Sequence, residues 1–146
     1  MAIKTIRIGT IIAFLLSGCV SPSSSPPATT EGEPHGISDN VAIVTLVNNA
    51  KSAILVGKLD AADLSLERAL HIEPRNPNVW YELANLRLQQ AQFDQAAYFA
   101  AKSNAFAGSD RTLQAANWQI IGQARAKHGD TVGAQDAFSK AAALAN

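Results

Sequence analysis

Gly57-Lys58-Leu59-Asp60-Ala61-Ala62 is answered by Ala91-Gln92-Phe93-Asp94-Gln95-Ala96 after 34 residues, and by Gly129-Asp130-Thr131-Val132-Gly133-Ala134 after a further 38. Trp80 and Trp118 are also 38 apart, and Leu46 precedes Trp80 by 34. Self-similarity at a fixed spacing marks a stack of like units, each too small to bury its apolar face alone. Four extra residues fall between the second and third units, near Gly108 to Thr112. They are expected to add about one turn to the start of the next helix.

Thirty-four residues is the tetratricopeptide period, and the residue types resemble that family as well as the spacing does. Trp80, Leu83 and Ala84 occupy the bulky, bulky and small slots of a first helix, and Trp118, Ile121 and Gly122 repeat them. Ala62, Leu66, Ala69 and Pro74 fill the second-helix slots of the first unit. Small residues are required where two helices cross, because a larger side chain there would hold the backbones apart. Asp60, Asp94 and Asp130 stand where second helices start and are expected to cap them. Pro74 and Pro77 end one helix and open the next. The pattern predicts helices near 39–56, 60–72, 78–90, 94–107, 110–127 and 131–144. The expected fold is all-α: an α-solenoid of three tetratricopeptide helix pairs in an antiparallel stack, preceded by a signal peptide and a disordered tether. The repeat domain would span 40–146, in units of about 43–76, 77–110 and 115–146.

Outside the repeats the composition changes. The whole chain has 146 residues, 47% apolar, with twelve Lys and Arg against twelve Asp and Glu. Zero net charge lacks the basic footprint of a nucleic-acid binder. Ala fills 24 of the positions from Asn40 to Asn146, which suits closely packed helices. Lys4 and Arg7 precede an apolar run, Ile8 to Leu16, and then Leu16-Ser17-Gly18-Cys19. A charged start, a short apolar stretch and small residues make a secretory signal over 1–18. A run of nine residues is far short of the roughly 20 a spanning helix needs. The Leu-Ser-Gly-Cys string resembles the bacterial lipobox, which implies that Cys19 is the lipidated first residue of the mature chain. The alternative is an ordinary secretory signal with an incidental cysteine. Val20 rather than Asp follows, which by the same resemblance implies the outer membrane, facing the periplasm. From Val20 to Asp39 there are five Ser, four Pro, two Thr and two Gly, too little apolar surface to offset the entropy of folding. With Cys19 this segment reads as a tether over 19–39.

No constellation of catalytic residues is legible. His71 and His128 sit at expected helix ends, where a cationic side chain suits the dipole, and neither has a carboxylate or second His at ligand spacing. Asp60 and Asp63 share one first turn, as capping and dipole chemistry would place them. No nucleophile elbow, zinc-binding helix motif or phosphate loop occurs. The chain is expected to be no enzyme, with no metal, cofactor or small-molecule substrate.

Tetratricopeptide stacks curve, and the family turns set positions of each first helix to the concave side. Carried onto this chain, these are Val44, Val47, Lys51, Ile54 and Leu55; then Asn78, Tyr81, Asn85, Leu88 and Gln89; then Ala116, Gln119, Gln123, Ala126 and Lys127. Apolar anchors among amides suit a peptide or a partner helix. The carboxylate clamp of chaperone-binding members is not matched, since its places hold Val47, Glu82, Ala116 and Ile120, with only Lys51 basic. Ile43, Leu46, Val47, Ala50, Ala53 and Ile54 form one core stripe on the first helix. Val41, Val44, Leu55 and Val56 lie off it, either as a partner surface or as cover for a neighbouring helix.

Over the whole domain, the Leu66–Pro77 segment, the Trp80 region and Ala116-Asn117-Trp118-Gln119-Ile120-Ile121 resemble small proteobacterial tetratricopeptide lipoproteins. Some of these activate class A penicillin-binding proteins from the outer membrane. The resemblance implies a periplasmic protein partner of that class. An assembly chaperone or pilotin for pilus secretins or outer-membrane proteins is the alternative, as is a passive envelope scaffold.

Overall fold

The computed structural model describes residues 40–145; the signal, Cys19 and tether readings lie outside them. Among the described residues there are six helices and no strand: α1 (Val41–Leu55), α2 (Leu59–Ile72), α3 (Pro77–Gln89), α4 (Phe93–Phe106), α5 (Arg111–His128) and α6 (Thr131–Ala145). Each boundary lies within two residues of its expected place. None of these helices is long and apolar enough to cross a membrane.

Local chemistry sets the ends. Asn76 accepts hydrogen bonds from the amides of Asn78 and Val79, and Pro77 takes the first helical position of α3, where no amide donor is needed. Asp110 accepts from the Leu113 amide at 2.9 Å to cap α5, and Asp130 accepts from the Gly133 amide at 2.8 Å to cap α6. Asp60 and Asp94 do not cap α2 and α4. The cap residues there are Lys58 and Gln92, with no side-chain bond, and the two acids lie inside the first turn. The repeat register explains the difference: Asp130 occupies the slot of Lys58 and Gln92, two residues before the slot shared by Asp60 and Asp94. Those two acids favour their helices through the dipole alone.

Between the helices of each pair, Gly57, Ala91 and Gly129 share one repeat slot, and all three have positive φ, +73°, +57° and +94°. The left-handed turn reverses the chain, and at Ala91 it is held despite a Cβ that disfavours it by about 1–2 kcal/mol.

Consecutive helices pack together throughout, and α1 also touches α3 while α3 touches α5. No such contact joins α2 to α4 or α4 to α6. First helices therefore crowd along one side and second helices splay along the other, which curves the stack with α1, α3 and α5 inside.

The core is built where the repeat slots predict. Ala62, Leu66 and Ala69 of α2 are fully buried with Ile43, Val79 and Leu86. A second cluster joins Ala84, Ala96, Ala100, Ile120, Ile121 and Ala137. A Cβ at Gly122 would fall on the Phe138 ring, so the small slot of the third unit has no spare room. Trp80 packs on Phe99 with centroids 5.5 Å apart and donates from Nε1 to the Pro74 carbonyl at 2.9 Å. Lys102 Nζ lies 4.5 Å from the centre of the Trp80 ring, and Lys140 Nζ lies 4.6 Å from that of Trp118, the same cation–π pairing one unit on. Arg87 grips both Asp63 oxygens, at 2.8 and 3.0 Å, and so locks α3 onto α2. Asn117 donates to Ser103 Oγ at 2.7 Å, and Ser103 donates to the Pro77 carbonyl at 2.8 Å, tying α5, α4 and α3 together in the buried interior. The four extra residues of the third unit lengthen the start of α5 by a turn, and with one more residue at its end it has 18 residues against 13 in α3.

Candidate functional site

The inner face of the stack holds a cavity of about 400 Å³ at its N-terminal half, walled by α1, α3 and the added first turn of α5. From α1 come Ile43, Val44, Val47, Asn48 and Lys51. From α3 and its cap come Asn76, Asn78, Tyr81 and Glu82. The opposite wall is Asp110, Thr112, Leu113 and Ala116, at the start of α5. Without the extra turn, Thr112 and Leu113 would have no helical place there, so the insertion that interrupts the repeat spacing supplies one wall.

Of the expected concave-face residues, Val44, Val47, Lys51 and Tyr81 converge on this cavity, and Asn78 and Ala116 join them. Leu88 is instead half-buried against the second core cluster. Asn85 hydrogen-bonds Glu82 rather than standing free. Gln119 and Gln123 are exposed on α5 outside the cavity. Leu55 is 86% exposed at the far end of α1, away from the cavity walls. Val41 and Leu55 are separated by the length of α1, about 20 Å, so the apolar residues off the core stripe do not form one patch. Val44, 40% exposed, is the one that faces the groove.

The residue that the sequence reading passed over is Glu82. It stands at a clamp place without the clamp's residue type, is 5% exposed and lines the cavity. Lys51 Nζ lies 3.1 Å from its Oε1, so this lysine is paired across the groove and not a free cation. Burial pushes the Glu82 carboxyl above its ordinary value of 4.5, while the Lys51 charge and hydrogen bonds from Lys51 and Asn85 act in the opposite direction. A signal was available. Val79, Leu83 and Leu86 make an apolar stripe at helical spacing, and Glu82 sits inside it. A carboxylate at a core-facing position demands either a partner or a purpose.

At the other end of the stack, His128 Nδ1 lies 3.5 Å from Asp94 Oδ1, a pairing between α5 and α4 that sequence spacing concealed. Both side chains are largely exposed, and no group of three metal-ligating side chains occurs among the described residues. The contact is one between two exposed side chains at the surface and marks no site.

The sequence matches the family described as tetratricopeptide repeat over residues 53–116. No curated protein matches it. Among solved structures, the chain is similar to the globular C-terminal domain of P. aeruginosa LpoP, with 38% sequence identity and a TM-score of 0.69. That similarity covers 71% of this chain and 98% of the LpoP domain.

Proposed function

We propose, from the premise that the chain belongs to the tetratricopeptide-repeat family and to the group that includes the LpoP C-terminal domain, that it is a lipid-anchored protein-binding module. In this reading Cys19 carries the anchor in the outer membrane, and the Ser- and Pro-rich segment that follows gives the repeat domain reach into the periplasm. Twenty such residues, extended at about 3.1 Å each, span roughly 60 Å. The domain docks on a class A penicillin-binding protein and raises its peptidoglycan-synthase activity. It performs no chemistry of its own: the groove offers recognition surface, and activation requires only that the domain bind the active conformation of the synthase better than the inactive one.

The observation that carries this reading is the cavity on the inner face, whose apolar walls and amide rim suit a peptide segment or a helix face. The test is glycan-strand polymerisation by a purified class A synthase, with and without the chain from residue 20 onward. Faster polymerisation that saturates with added domain is the expected result. No change in rate together with no binding removes the reading, and capture of a secretin or porin from envelope extract would put an assembly role in its place.

A further inference from the structure

The cavity has a charge imbalance that selects its occupant. Two carboxylates, Glu82 and Asp110, face it against one cation, Lys51. The Lys51–Glu82 pair is also lopsided, with the lysine side chain 54% exposed and the glutamate 7%. On the lysine side, letting go costs little, because its ammonium is already half in water. Leaving Glu82 with only its Asn85 hydrogen bond is more costly, because a buried carboxylate cannot recover its lost hydration. The geometry therefore favours exchange: a buried carboxylate is paired with a lysine that is itself half in water.

Resting on the docking function above, we propose that the cavity takes a lysine or arginine side chain of the partner, seated on the Glu82 carboxylate in place of Lys51, with a neighbouring apolar side chain against Val44 and Leu113. An arginine would exceed lysine here, because its planar fork can meet both carboxylate oxygens while Lys51 meets one. Asp110, exposed at the rim, adds attraction for the incoming charge without holding it. A carboxylate 5% exposed and turned to an open cavity is the kind of buried polar group that binding sites retain.

The chain from residue 20 onward suits the test, since the helices complete their packing among themselves and the LpoP counterpart was solved as an isolated domain. The probe is the synthetic peptide Ac-Leu-Arg-Leu-NH2, titrated against the amide NMR spectrum beside its citrulline analogue, which keeps the shape and loses the charge. Expected are shifts centred on Val44, Lys51 and Glu82, with the arginine peptide bound about tenfold more tightly than citrulline. Glu82→Gln should erase that preference. Lys51→Met, which removes the competing cation, should keep or strengthen it. Equal binding of the two peptides, a preference that survives Glu82→Gln, or no shift at these residues overturns the proposal. Synthase binding is measured separately with the same variants. Arginine preference without synthase binding removes the docking function and leaves the cavity assignment standing; synthase binding equal for wild type and Glu82→Gln does the reverse.

Discussion

The seams between helices and the inner face of the stack are built from the same repeat slots, and they treat those slots oppositely. At the seams the units keep like residues: Trp80 and Trp118 under Lys102 and Lys140, Ala84 and Gly122 at the crossings, and small residues, Gly57, Ala91 and Gly129, at the turns. On the inner face the equivalent slots diverge, Val44 to Asn78 to Ala116, Val47 to Tyr81 to Gln119, and Lys51 to Asn85 to Gln123. Packing density allows little freedom where helices cross, whereas a solvent-facing slot contributes little to stability and can take any side chain a partner rewards. The contrast teaches that the repeats encode a scaffold and leave the inner face free to vary, which is where the proposed recognition would reside. The cavity follows this rule, since it forms where the added turn of α5 and the misfit carboxylate Glu82 break the pattern.

The largest effect that would sharpen this contrast is at a seam. Leu66→Ala, at a fully buried position of α2, should lower unfolding free energy by about 2–5 kcal/mol, read by chemical denaturation. Gly122→Ala tests the crossing where the Phe138 ring already fills the space. Forcing the ring aside should lower stability by about 1–3 kcal/mol, and an unaltered transition would show that the slot tolerates a methyl. At the turns the sign reverses: Ala91→Gly should raise stability by up to about 1 kcal/mol, as relief of the left-handed strain exceeds the added freedom of the unfolded chain.

The smallest effect belongs to the inner face. Because the folded pKa of Glu82 lies above its ordinary 4.5, the native state binds this proton more tightly than the unfolded chain. Its contribution to stability is full below pH 4.5 and is lost as pH rises through the raised folded value. The melting temperature of Glu82→Gln, relative to wild type, should therefore climb as pH increases across that window and then level off. A relative stability that falls over the same window would mean that Lys51 outweighs desolvation at this carboxylate.

The scaffold was legible because it obeys spacing. Helix ends, the small crossing slots and even the extra turn of α5 could be read from intervals of 34 and 38 residues, since every unit must satisfy the same geometry. The caps were only half legible: an acid near a helix start can be the cap or lie two residues inside it, and only the register against Lys58 and Gln92 separates Asp130 from Asp60 and Asp94. The site was the least legible part. Val44, Val47, Lys51 and Tyr81 could be carried over from repeat positions. That Asp110 and Leu113 stand opposite them depends on the curvature of the stack, which no local spacing reports. The pairing of Lys51 with Glu82 is likewise a contact between units, 31 residues apart in sequence.

The central claim, that recognition resides in the N-terminal half of the inner face, is tested most directly by the affinity of a purified class A penicillin-binding protein for two paired variants. Val44→Ser with Ala116→Gln removes an apolar wall residue and fills the cavity, while Gln119→Ala with Gln123→Ala strips the exposed amides of the other half. Both should melt within about 0.5 kcal/mol of wild type. The account predicts that the first pair weakens binding at least about tenfold, some 1.4 kcal/mol, and that the second leaves it unchanged. Equal affinities for the two pairs, or loss confined to the second, would contradict it.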